Sequence, residues 1–204
     1  MKTNREYRMM SFETRAKNEE GKDECRVDGY ASTFEPYVLF EDEDGTQYFE
    51  RIDEHAFDET DMSDVIFLYN HTGMVYARQK NGTLDVSVDE HGLKISADLS
   101  STEQSRQMFE QIRSGLIDQM SFAFTVRVDE YDKKTHTRTI KSISKLYDVS
   151  AVSIPANPGT DINARNGEAT ADYFNGVIEA EKAERLEEQR ALDLAKAKFK
   201  FLSI

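Results

Sequence analysis

The sequence predicts a mainly β domain: an antiparallel sheet of seven or eight strands closing into a barrel, interrupted by one internal helix and finished by a long terminal one. Three observations predict it. Short runs of alternating apolar and polar residues recur between turn-forming clusters, a helical period takes over in the interior only after Thr102, and from Glu168 the composition shifts to Glu, Lys, Arg, Ala and Leu. Residues 1–165 are therefore expected to form the β domain and 166–204 a charged C-terminal helix.

Residues 6–14 and 25–34 both read as extended, and the polar stretch Lys17 to Asp23, with Gly21, is a natural turn between them; a hairpin is predicted. Cys25 belongs to the alternation Cys25, Val27, Gly29, Ala31, which makes it a half-buried strand residue rather than a nucleophile. As the single cysteine of the chain it excludes an internal disulfide and suits a reducing compartment. The acidic run Glu41 to Gly45 is a solvated loop, followed by a short strand Tyr48 to Ile52 and a helical turn Asp53 to Thr60 that leaves His55 at the surface.

Val65 to Tyr69 is a continuous apolar run, the pattern of a strand covered on both faces. It stops at Asn70, His71, Thr72, Gly73, so His71 stands at the mouth of a buried strand. Thr83 to Val88 and Leu93 to Leu99 alternate around the turn quartet Asp89, Glu90, His91, Gly92, with His91 a turn residue. Met108, Phe109, Ile112 and Leu116 then fall at helical spacing behind a Ser101 or Thr102 cap, with Gly115 near the end. Gln119 to Val128 resumes period two, which puts Ser121 near the start of a strand directly after the helix. Tyr131 to Thr137 is a polar turn carrying His136, Arg138 to Ser144 and Leu146 to Ile154 are two further strands, and Pro155 and Pro158 close the last. In the terminal helix Ala191, Leu194, Ala195, Phe199 and Leu202 form the stripe expected to pack.

Composition narrows the function classes. With 26 Lys and Arg against 39 Asp and Glu the net charge is −13, which repels a phosphate backbone, so nucleic acid is not an expected partner. The N-terminus has no apolar run of signal-peptide length, and no window approaches the roughly 18 apolar residues of a membrane span; a soluble, cytoplasmic start and no membrane are expected. There is no HExxH, no paired CxxC, no GxxxxGK[ST] and no GxSxG, so neither metal nor cofactor is expected. Most histidines and carboxylates sit in polar turns where solvation explains them. His71 and Ser121 are the exceptions, although a lone histidine after a strand or a lone serine within one is by itself unspecific.

The frame around them carries the specificity. GYASTF at 29–34, FERIDEHAF at 49–57, VIFLYNH at 65–71, DEHGLKISADL at 89–99, RSGLIDQMSFAF at 113–124 and LYDVSAVSIPANP at 146–158 stand in the order and spacing of the tailed-phage prohead proteases. Over roughly residues 6–160 the chain resembles that family, itself related to the herpesvirus assemblins. The sequence departs from the family pattern at His55, Thr72 and Ala123, where glycine, aspartate and glycine are common; the last leaves the backbone beside the serine open.

The resemblance implies a β-barrel of about seven strands wrapped by helices, and a serine endopeptidase acting inside the immature prohead in the host cytoplasm. It would cut scaffold or capsid-precursor segments, and its own tail could be a further target. It implies Ser121 as nucleophile, His71 as base and Asp148, on the strand before PANP, as the third member. That division of roles is chemically sensible, because a serine hydroxyl is a poor nucleophile until a base takes its proton, and a carboxylate fixes the tautomer of that base. The implied partner is the major capsid protein or its scaffold segment as substrate; a homodimer is compatible, since related proteases are often regulated by dimerisation. The alternative is a non-catalytic scaffolding module that uses the charged helix to associate, and the helix could serve recruitment in either case.

Overall fold

The computed structural model describes residues 4–11, 15–16, 25–42, 44–153 and 168–202. Their strands are β1 (Glu6–Ser11), β2 (Arg15–Ala16), β3 (Arg26–Thr33), β4 (Tyr37–Glu41), β5 (Gln47–Ile52), β6 (Ile66–Tyr69), β7 (Thr72–Arg78), β8 (Leu84–Val88), β9 (Gly92–Asp98), β10 (Gln119–Asp132) and β11 (Thr137–Val152). Helix α1 spans Glu103–Arg113 and α2 spans Glu168–Leu202.

The described residues are mainly β with two α-helices, as the periodicities predict, but their strands do not close into one antiparallel barrel. They form a seven-stranded sheet, in the order β1-β10-β11-β5-β4 with β6 and β7 branching from β11, and a four-stranded sheet, β2-β3-β9-β8. The larger sheet is mixed, because β11 accepts β5 in parallel over Thr137 to Ile140 and β6 in parallel over Asp148 to Ala151. Arg138 to Ser144 and Leu146 to Ile154 are thus not two strands: Thr137–Val152 is one 16-residue strand, long enough to seat two partners end to end. Alternation reports which face of a strand is buried and is silent on the direction of the neighbour, which is why the sequence pattern reads as antiparallel.

The predicted hairpin of residues 6–14 with 25–34 is also replaced. β1 pairs antiparallel with β10, and among the described residues before β3 only the two-residue β2 pairs with it. Lys17 to Asp23, Pro155 and Pro158 lie outside the described residues. The β8–β9 hairpin forms as expected. Its Gly92 is required by close approach, since a Cβ there would lie 2.0 Å from the Ser32 carbonyl oxygen.

The core fills the space between the two sheets: Val27 and Ala31 of β3 and Ile95 and Ala97 of β9 join Phe122 and Phe124 of β10 and Val149 and Ala151 of β11 in one apolar cluster. α1 closes one end. Thr102 caps it by accepting the Ser105 amide at 3.0 Å, and Met108, Phe109 and Ile112 form its buried face. Leu116, expected on that face, lies past the last turn and is 76% exposed. In α2 the packing stripe is nearer the start than the sequence suggests. Ala171 and Phe174 are buried, with Phe174 against Leu39 and Tyr48, whereas Ala191, Leu194 and Ala195 are exposed; the side chains of Phe199 and Leu202 lie outside the description.

Candidate active site

The site is built on three neighbouring strands of the large sheet. The antiparallel register of β10 and β11 sets Ser121 opposite Ser150 and Ala123 opposite Asp148. The parallel register of β6 on β11 sets Leu68 beside Ser150 and Tyr69 beside Ala151, so the chain leaves β6 level with the end of this row. Asp148 and Ser150, two residues apart, share one face of β11 while Val149 and Ala151 point into the core.

Asn70 and His71 form the two-residue loop that joins β6 to β7, between the paired residues Tyr69 and Thr72. Both have positive φ, 50° and 56°, as a tight hairpin loop of the I′ kind requires at its two central positions. Asparagine tolerates that conformation well, and glycine is the usual second residue; here a histidine occupies it. The loop is pinned to β11, with the Asn70 amide donating to Ala151 O at 3.0 Å and the His71 amide donating to Ser150 Oγ at 3.2 Å. This turns the imidazole back across β11 toward β10.

His71 Nδ1 lies 2.6 Å from Asp148 Oδ1, and Nε2 lies 2.6 Å from Ser121 Oγ. The three predicted residues are therefore brought together in one chain of hydrogen bonds. A carboxylate only accepts, so its partner Nδ1 is the donor, and in the tautomer with that one ring proton Nε2 is an acceptor for the Ser121 hydroxyl. Such an arrangement can draw the serine proton onto the ring while the carboxylate holds the ring in place. Ser121 is fully buried and Asp148 nearly so. Tyr7 of β1 packs edge-on against the imidazole, with ring centroids 4.7 Å apart.

The other histidines do not join this cluster. His55 is exposed beside Asp58, and His91 sits at the β8–β9 tip as expected. His136 differs from the solvated loop residue expected: it is half-buried, with Nδ1 3.2 Å from the Tyr131 hydroxyl and its ring against Tyr48. Among the described residues no group of three or more His, Cys, Asp or Glu is placed to hold a metal ion, and no helix is long and apolar enough to cross a membrane.

A second polar cluster was not foreseen from the sequence. Glu6 and Arg8 of β1, Glu50 of β5 and Arg138 of β11 are all buried and mutually paired. Arg8 engages Glu50 through Nε and, at 2.6 Å, through Nη2, which also reaches Glu6 at 2.6 Å. Arg138 donates to Glu6 at 2.7 and 3.1 Å and to Asp129 at 2.7 Å. Thr170, in the first turn of α2, donates to Glu6 at 2.8 Å and accepts from Arg8 at 3.1 Å, which ties the helix to β1. Burial alone would raise the Glu6 carboxyl, but the charge of Arg8, then the hydrogen bond and charge of Arg138, bring it down to about 2. Burial opposes the charge on Arg8 as well, and Glu50 and Glu6 outweigh it, raising its pKa further. The signal available in the sequence was phase: Glu50 alternates with Tyr48 and Ile52 on the inward side of β5, a carboxylate in an apolar row.

A Ser–His–Asp chain of hydrogen bonds is the arrangement by which serine can be made a nucleophile, and comparison with known proteins narrows the class. The family model for the caudovirus prohead serine protease matches residues 10–173, and the chain belongs to that family. The prohead protease of Escherichia phage T5 is 28% identical over 112 residues, covering 55% of this chain and 51% of that protein, so the chain spans about half the length of this relative. No solved structure matches the chain.

Proposed function

We propose that the protein is a serine endopeptidase that cleaves scaffold or capsid-precursor segments during prohead maturation. The observation that carries this reading is the unbroken relay from Ser121 Oγ through both ring nitrogens of His71 to Asp148, with 2.6 Å at each step. Family membership supports the same reading.

Ser121 Oγ attacks the scissile carbonyl as its proton passes to His71 Nε2, and Asp148 stabilises the resulting imidazolium through Nδ1–H. Collapse of the tetrahedral intermediate breaks the C–N bond, and the Nε2 proton leaves with the amine. A water then gives a proton to Nε2 as its oxygen attacks the acyl-enzyme, and return of that proton to Oγ frees the carboxyl product. The chain order His, Ser, Asp differs from those of chymotrypsin, subtilisin and the α/β-hydrolases, so the same roles arise on an unrelated frame.

The test is co-expression with the phage capsid precursor. Processing is expected with the natural sequence and absent with Ser121→Ala; processing at the natural rate by a folded Ser121→Ala protein would overturn the reading. A recruiting role for α2 is favoured by one further observation: its side chains from Lys182 to Lys196 are exposed, Leu186, Leu192 and Leu194 among them. Truncation after Glu181 is expected to reduce co-sedimentation with proheads more than it reduces cleavage of free precursor, and the reverse ranking would exclude recruitment by the helix.

A further inference from the structure

Ser150 is fully buried on β11, directly across from Ser121; it lies within the LYDVSAVSIPANP segment, where the resemblance assigns it no role. A buried serine commonly satisfies its hydroxyl with the nearest carbonyl, which would need no functional account. Ser150 does something more selective. Its hydroxyl donates to Asp148 Oδ1 at 2.8 Å, the same oxygen that holds His71 Nδ1, and its oxygen accepts the His71 backbone amide at 3.2 Å. The ring nitrogen Nδ1 lies 3.2 Å from the same oxygen. A hydroxyl has one donor and two acceptor positions, and here the donor and one acceptor are spent on the two partners of the nucleophile.

The geometry of these contacts answers two needs of the relay. An aspartate carboxylate turns easily about its last torsion, and a second donor on Oδ1 fixes which oxygen faces the ring. His71 stands in left-handed backbone geometry, φ 56°, where a residue with a side chain is held only by its surroundings; the Ser150 oxygen binds its amide at that point. We propose that Ser150 is a positioning residue of the proteolytic site, locking the Asp148 carboxylate and the His71 backbone into the one arrangement that aims Nε2 at Ser121. The inference rests on the reading of Ser121, His71 and Asp148 given above. Ser150 touches no reacting atom and acts through its two partners.

The test uses a fluorophosphonate, which reports on the activated serine without requiring the natural substrate, together with proton NMR of the hydrogen-bonded Nδ1–H of His71, assigned by its loss in His71→Ala. In Ser150→Ala the maximal labelling rate is expected to fall about 10²-fold, the cost of a small misalignment of reacting groups, with less than about a twofold change in the half-saturating reagent concentration. The Nδ1–H resonance is expected to broaden or move upfield. Ser150→Thr and Ser150→Val form a pair of equal shape that differ in the hydroxyl alone, so labelling and a sharp resonance retained in Thr and lost in Val separate hydrogen bonding from packing if the alanine variant does not fold. Natural labelling rate and unchanged resonance in Ser150→Ala, or equal behaviour of the Thr and Val variants, would overturn the assignment of Ser150 and leave the relay standing. Labelling that survives in Ser121→Ala would instead bring down the reading beneath it. The NMR comparison decides the role of Ser150 independently of how fast any variant is labelled.

Discussion

Two polar clusters sit on opposite faces of the same edge strand, and they are built on opposite plans. Glu6 and Arg8 of β1 point into the ion network with Glu50 and Arg138, while Tyr7 between them packs on His71. In the network each carboxylate oxygen of Glu6 and Glu50 has a donor, and some have several. At the candidate active site a single hydrogen bond joins Ser121 to His71, so its proton can change owner. Redundant pairing suits a framework; a relay with one link per step suits chemistry.

The sharpest way to break that comparison is to remove one group from each side. Ser121→Ala is expected to lower cleavage of the capsid precursor by roughly 10⁴-fold or more while leaving the urea midpoint of unfolding nearly unchanged, because the relay contributes little to the fold. Arg138→Ala is expected to do the reverse. Removing it strands Asp129 and takes from Glu6 one of its two arginine partners, which costs about 3–5 kcal/mol in equilibrium unfolding.

Acid separates the clusters more gently. The Glu6 carboxyl has an ordinary value of 4.5 and is held at about 2 in the fold, so the unfolded chain takes up the proton first as pH falls. The stability that Glu6 contributes is full above the higher value and is lost as pH drops through the lower one. The melting temperature is therefore expected to decline between about pH 5 and about pH 2, and less steeply in Glu6→Gln, which starts lower. A scan of both proteins over that range checks this; parallel slopes would remove Glu6 from the account. A small effect on stability is also expected from His71→Gly. Glycine relieves the left-handed backbone, worth about 1 kcal/mol, and this offsets the lost side-chain contacts, so the variant should unfold within about 1 kcal/mol of the natural protein while being inactive.

Much of this was legible before any coordinates. The apolar run before Asn70, the Asp89 to Gly92 turn, the capped helix and the alternation around Ser121 each state a local preference strong enough to survive folding. The three relay residues were legible through the motif frame, and the structure brings them together. What stayed hidden depends on partners far along the chain. Nothing in Glu6 or Arg138 says that they will meet across 132 positions, and in a chain where 32% of residues are charged a buried arginine looks like any other. The two parallel strands on β11 were hidden for the same reason, as was Ser150, whose role is defined only by what the β6–β7 loop lays over it.

The full burial of Ser121 has a kinetic consequence. A hydroxyl with no surface of its own cannot meet a polypeptide until neighbouring atoms have moved aside, so on the proteolytic reading every turnover begins with a gating event that precedes bond making. The frequency of that opening would then set a ceiling on throughput that no improvement in proton transfer can lift.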